Sequence, residues 1–176
     1  MREFKIVVTG PRGAGKTTFI ENISETAVVS SEQNAGGNGQ GKSGATVEMD
    51  FGRISISDDT MIYLFGTQGM ERFDFMWKAI SEGMLGFVLM VDSSRPETFE
   101  DARQIMDYFR SRAAVPCVVG LTRVSEADFP EVSATVRERL AIDEATPLMP
   151  CDATLKDQVK EVLLGLLYHV LQDVES

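Results

Sequence analysis

Gly10-Pro11-Arg12-Gly13-Ala14-Gly15-Lys16-Thr17 follows directly on the apolar run Phe4-Lys5-Ile6-Val7-Val8-Thr9. The spacing is a complete Gly-x-x-x-x-Gly-Lys-Thr, set between a strand and the start of a helix. Three glycines let the backbone curl until successive N–H groups point at one anion, and a helix opening at Lys16 adds the positive end of its dipole. Lys16 is then placed to reach the β- and γ-phosphates of a nucleotide, and the Thr17 hydroxyl to ligate Mg²⁺. Gly10, Arg12, Gly13, Ala14, Gly15, Lys16, Thr17 and Thr18 are accordingly the candidate phosphate-binding residues.

Working outward, the spacing predicts a short helix over Thr18 to Glu25. Ser30 to Gly44 is rich in Gly, Ser, Gln and Asn without apolar period, and reads as a mobile loop. Thr46 to Ile56 and Met61 to Phe65 read as a hairpin turned by Ser57-Asp58-Asp59-Thr60. Met84 to Val91 and Val115 to Leu121 are unbroken apolar runs, as parallel strands covered on both faces require. Helical spacing follows over Pro96 to Arg112 and Pro130 to Leu140. Pro147 to Cys151 reads as a last short strand, and Leu155 to Val174 as a long helix with one apolar face. Alternating strands and helices imply right-handed crossovers, with the ligand at the carboxyl ends of the strands, where the phosphate loop lies.

At 176 residues, 43% hydrophobic and 25% charged, the chain has the size and composition of one globular domain, taken as residues 1–176. Asp and Glu outnumber Lys and Arg 27 to 17. The resulting net charge of −10 opposes broad attraction to nucleic acid or anionic lipid, so any positive charge for a nucleotide must be local. Cys117 and Cys151 give no disulfide framework. Absence of a secretory pattern, a membrane-length apolar run or a lipidation signal leads to the expectation of a cytoplasmic chain with no direct membrane insertion.

The order of phosphate loop, glycine-rich loop with downstream Thr46, hairpin, and Leu64-Phe65-Gly66-Thr67-Gln68-Gly69-Met70-Glu71-Arg72 resembles the Ras-like small GTPases over essentially the whole chain. Thr46-Val47-Glu48-Met49-Asp50-Phe51-Gly52 and Phe65-Gly66-Thr67-Gln68-Gly69 are similar to the prokaryotic branch related to MglA, whose partners are often Roadblock-fold proteins. The resemblance implies a P-loop fold: a three-layer α/β sandwich on a mainly parallel six-stranded sheet with one antiparallel hairpin strand. It implies GTP or GDP with Mg²⁺, slow hydrolysis, and switch loops near 27–46 and 66–77 that engage an effector or activator. Carried over by position, it puts Thr46 in the first switch and the Gly69 N–H on the γ-phosphate.

Several positions depart from that pattern. Gly66 stands where an Asp usually holds Mg²⁺ through water, so another carboxylate is needed. Asp50, four residues after Thr46 and on the same strand face, is the candidate, which makes Thr17, Thr46 and Asp50 the metal set; the alternative is a surface carboxylate on the hairpin. Met70 replaces the Gln that orients the attacking water, and a thioether cannot do so. The missing groups would come from Arg12, Arg72 or a partner. The guanine-reading segment is Thr122-Arg123-Val124-Ser125, in which Ser125 cannot make the charged contact of the usual Asp. Glu126 and Asp128 are the nearest carboxylates, and the main-chain N–H of Asp152 or Ala153 is placed to meet the base carbonyl. Guanine is favoured by the resemblance, with adenine left open. A nucleotide-holding pseudo-GTPase and a P-loop kinase or ATPase are the alternatives. His169 reads as structural, and Trp77 as either core or a partner patch.

Overall fold

A strand that is apolar on both faces must be covered on both, and the central strands dictate a helix, sheet, helix sandwich. In the computed structural model, which describes residues 1–34, 46–67 and 74–175, that is the architecture formed. The strands are β1 (Arg2–Thr9), β2 (Val29–Asn34), β3 (Thr46–Ser57), β4 (Thr60–Thr67), β5 (Met84–Asp92), β6 (Cys117–Thr122) and β7 (Leu148–Pro150). The helices are α1 (Lys16–Ile23), α2 (Asp74–Ser81), α3 (Phe99–Arg112), α4 (Phe129–Leu140) and α5 (Lys156–Glu175). Among the described residues the sheet has seven strands in the order β2-β3-β4-β1-β5-β6-β7. β1 lies parallel between β4 and β5, and β6 and β7 continue the parallel half. β3 runs antiparallel to β4, and β2 antiparallel to β3.

The expected six strands are all present, and β2 adds a seventh. Val29–Asn34 falls partly in the segment read as a loop: its backbone pairs with β3 from Val29 opposite Phe51 to Asn34 opposite Thr46. Ladder hydrogen bonds to β3 build this edge strand without an apolar period of its own. The remainder of that expected loop, 35–44, lies outside the described residues.

The period of two along β1 splits the core. Ile6 and Val8 face α1 and α5, packing with Phe19, Ile20, Val159, Val162 and Leu166. Val7 faces the other way, into a cluster with Trp77 of α2, Phe109 of α3 and Val136 of α4. Each fully buried Phe or Leu in these layers contributes about 1.5–3 kcal/mol. Trp77 is 5% exposed and meets Tyr108 edge-on, ring centroids 5.1 Å apart, which settles it as core. Helix α2 was not expected from the sequence. Lys5, half-buried on β1, donates from Nζ to the carbonyls of Ala79, at 3.3 Å, and Glu82, at 2.8 Å, and so caps the end of α2.

Candidate functional site

The loop after β1 is held against β5. At Gly10, φ is +143°, and a Cβ there would lie 2.2 Å from the carbonyl oxygen of Met90, so only glycine can make this turn. Gly15 caps α1 in the left-handed region, and no side chain caps the first turn. The leading N–H groups of α1 thus have no intrahelical partner and point along the axis into the loop. Lys16 is 4% exposed; its Nζ donates to the carbonyl of Gly10 and, at 3.0 Å, to that of Pro11. Burial pushes its pKa down to about 7, opposed by the Asp50 carboxylate and reinforced by the Arg12 guanidinium. Arg95, after β5, donates from Nη1 to the Arg12 carbonyl at 3.4 Å and lies over Gly13.

Asp50 is buried, 1% exposed, and accepts a hydrogen bond at Oδ2 from the Thr17 hydroxyl. It pairs with Gly66 across β3 and β4. A Cβ on Gly66 would stand 3.2 Å from the Asp50 Cβ and 2.6 Å from Ile20 Cδ1. The space beneath Thr17 is therefore filled from β3, and Gly66 is the small partner that makes room. Next to it, the Thr67 hydroxyl donates to the Thr9 hydroxyl at 2.8 Å, fastening the end of β4 to the root of the phosphate loop.

A cleft of about 330 Å³ opens between the phosphate loop and the ends of β6 and β7. Gly13, Ala14, Gly15 and Thr18 form one wall; Thr122, Arg123 and Val124 a second; Asp152, Ala153, Thr154 and Gln158 the third. Arg123, with φ +57°, sets its Nε 3.4 Å from Oδ2 of the buried Asp92 at the end of β5. The Asn22 side chain donates to the Ala153 carbonyl at 2.6 Å, tying the third wall to α1. Asp152 is held below the usual carboxylate range by the hydroxyl and N–H of Thr154.

Of the residues singled out from the sequence, Gly13, Ala14, Gly15, Thr18, Thr122, Arg123, Asp152 and Ala153 line this cleft together, with Gly10, Arg12, Lys16, Thr17 and Asp50 at its phosphate end. Ser125 stands apart: the lining stops at Val124, and the Ser125 hydroxyl accepts from the Asp128 N–H at 3.2 Å, serving the turn into α4. Gly69, Met70 and Arg72 lie outside the described residues, and of Thr46 only the backbone, at the start of β3, is described. Sequence reasoning missed Arg95, in the connection from β5 to α3, and Thr154 and Gln158, which lie between the end of β7 and the first turn of α5. His169, half-buried on α5, does not line the cleft.

A glycine-rich loop at the carboxyl edge of a parallel sheet, a buried lysine inside it and a cleft beside it define a P-loop nucleotide-binding domain. The Ras family profile matches residues 5–172, and the chain belongs to that family of GTP-binding switch proteins. Among its relatives, an uncharacterized protein of Methanocaldococcus jannaschii is 31% identical over 130 residues, covering 74% of this chain and 77% of that one. The Ras-related protein Rab-12 of Mus musculus is 27% identical over 97% of this chain and 68% of its own length. The Ras-related protein Rab-8A of Bos taurus is 25% identical over 98% and 79% respectively. No helix among the described residues is long and apolar enough to cross a membrane.

Proposed function

We propose that the chain is a cytoplasmic molecular switch that binds GTP or GDP with Mg²⁺ in this cleft. It hydrolyses GTP slowly when unassisted and engages a partner protein through 27–46 and 66–77. The observation that carries the reading is the Asp50 carboxylate beneath Thr17, opposite Gly66. A buried carboxylate at the hydroxyl that follows the phosphate-loop lysine is the donor set Mg²⁺ prefers, since this ion takes one or two protein oxygens and completes its shell with phosphates and water. Thr17, Thr46 and Asp50 would hold Mg²⁺, which would supply positive charge to offset that of the nucleotide's phosphates.

The protein's own groups divide the remaining work. Loop N–H groups from Gly13 to Thr18 and the Lys16 ammonium cradle the phosphates, while the Arg123 stem covers the base plane. Arg12 and Arg72 are the sources of positive charge for the developing γ-phosphate charge. Thr46 and the Gly69 N–H report the presence of that phosphate, which is what lets two loops respond to hydrolysis. Met70 offers no donor to a water, which supports slow turnover. The similarity of the β3 and β4 strings to the MglA-related branch supports a Roadblock-fold partner. Met70, together with a Ser125 that serves α4, also favours a second reading: a pseudo-GTPase that holds nucleotide without turnover.

Extracting and identifying the nucleotide bound to the purified chain, then following phosphate release, tests both. GDP in the extract and turnover below about one per second support the switch. Intact triphosphate with no turnover under any condition supports the second reading, and bound ATP overturns the guanine assignment.

A further inference from the structure

The geometry points to Arg95 as the positioning residue that fixes the orientation of the Arg12–Gly13 peptide and so turns the Gly13 N–H toward the bound phosphates; this rests on the nucleotide reading above. The Ala14 N–H donates to the Pro11 carbonyl at 3.2 Å, which closes a four-residue turn over 11–14. Gly13 has φ +80° while φ at Arg12 is not positive, the signature of a type II turn. Type I and type II differ by a flip of the central peptide, here the one joining Arg12 to Gly13. Glycine takes either sign of φ about equally readily, so the turn's own sequence does not choose between them.

Arg95 makes the choice. Its Nη1 donates to the Arg12 carbonyl at 3.4 Å and would lie 2.8 Å from a Cβ on Gly13, so the guanidinium stands directly against this peptide. Its Nε lies 3.4 Å from Glu97 Oε1. The Arg95 backbone is held on both sides: its N–H donates to the Asp92 carbonyl at 3.2 Å, and its carbonyl accepts from the Thr98 N–H at 2.9 Å and the Thr98 hydroxyl at 2.7 Å. The fork therefore reaches the loop from a fixed root. Lys16 takes the carbonyls of Gly10 and Pro11, which leaves that of Arg12 to Arg95.

The Arg12–Gly13 peptide is trans, which sets its C=O and its N–H on opposite sides. Gly13 lines the cleft and Arg95 does not, so a carbonyl drawn toward Arg95 sends the Gly13 N–H to the nucleotide side. With the peptide flipped, a carbonyl oxygen would face the phosphates and repel them. Arg95 thus raises the fraction of chains whose loop is competent before nucleotide arrives, and apparent affinity scales with that fraction. Once bound, the phosphates themselves hold the Gly13 N–H, so the effect falls on association rather than on dissociation.

Stopped-flow mixing of a fluorescent GDP derivative and Mg²⁺ with the full chain, stripped of nucleotide, and with its Arg95→Ala and Arg95→Lys variants tests this at about 0.1 M and about 0.5 M salt. Arg95→Ala should slow association by about three- to tenfold, the worth of one hydrogen bond, and leave dissociation within about twofold of the unaltered chain. The slowing should persist at the higher salt, where steering by a surface charge is screened. Arg95→Lys keeps a donor for the Arg12 carbonyl but not the planar fork that also spans Glu97, and should recover part of the rate. An unchanged association rate in variants that keep their melting temperature overturns the inference. So does a slowing that vanishes at the higher salt, or a lysine variant no faster than the alanine one. Failure of the unaltered chain to bind the GDP derivative overturns the nucleotide reading instead.

Discussion

Replacing Asp50 with Asn separates folding from metal binding. Oδ2 of Asp50 accepts the Thr17 hydroxyl, and the residue is 1% exposed. Asparagine keeps the size and an acceptor at that place. The hydrogen bond loses the difference between a charged and a neutral acceptor, about 1 kcal/mol, and part is returned because a buried carboxylate is costly to desolvate. For a chain of this length the melting temperature should move by no more than about 4 °C. The metal responds differently: exchanging a carboxylate for an amide beside a divalent ion costs about 1.4–2.8 kcal/mol, a ten- to hundredfold loss. Dissociation of a fluorescent GDP derivative, followed with Mg²⁺ and again with EDTA, reads this directly. Asp50→Asn in Mg²⁺ should release nucleotide as fast as the unaltered protein in EDTA, and EDTA should add little more. A variant that keeps the full Mg²⁺ effect would refute the assignment of Asp50 to the metal.

Lys16→Ala should weaken nucleotide binding in titration calorimetry by about tenfold to hundredfold, the value of hydrogen bonds to a charged group, while a thermal melt finds the fold's stability little changed. Trp77→Ala empties a site between α2 and α3 and should cost about 3–5 kcal/mol, a fall of roughly 6–20 °C in a calorimetric melt. Burial pushes both Cys117 and Cys151 up to about 12 from 9.0, so a colorimetric thiol reagent should find two unreactive thiols at pH 8 and two reactive ones after unfolding. The folded state favours the neutral thiol; stability is therefore unaffected below the unfolded value and falls as pH rises from about 9 toward 12. The slope for the fully buried Cys117 is about 1.4 kcal/mol per pH unit, which a denaturant titration at pH 8 and pH 10 can measure.

How far the sequence could be read depended on whether the deciding physics was local. The phosphate loop is local: its turns are forced by glycines within eight residues, and its strand and helix are written on either side. Asp50 was legible because alternation along β3 puts it on a known face, and the structure brings it to Thr17. Val29–Asn34 was not legible, because a polar edge strand takes its conformation from the ladder it joins. Helix α2 was missed for a related reason: its identity depends on Trp77 reaching Tyr108 and Phe109 of α3 and on Lys5 of β1 capping its end. The third wall of the cleft, with Gln158, depends on where α5 returns across the sheet, and no local pattern around Asp152 encodes the bond from its N–H to an amide six residues later.

The two attachments of α2 have a mechanical consequence. Trp77 is locked between rings of α3, and the carbonyls at the helix end are gripped by a lysine from the central strand, while Thr67 is fastened to Thr9 upstream. A signal propagating from the phosphate site along the chain meets a stop at Trp77. Amide hydrogen exchange over 77–81 should then be equally slow with either nucleotide, and a partner able to tell the two apart must touch the chain before that tryptophan.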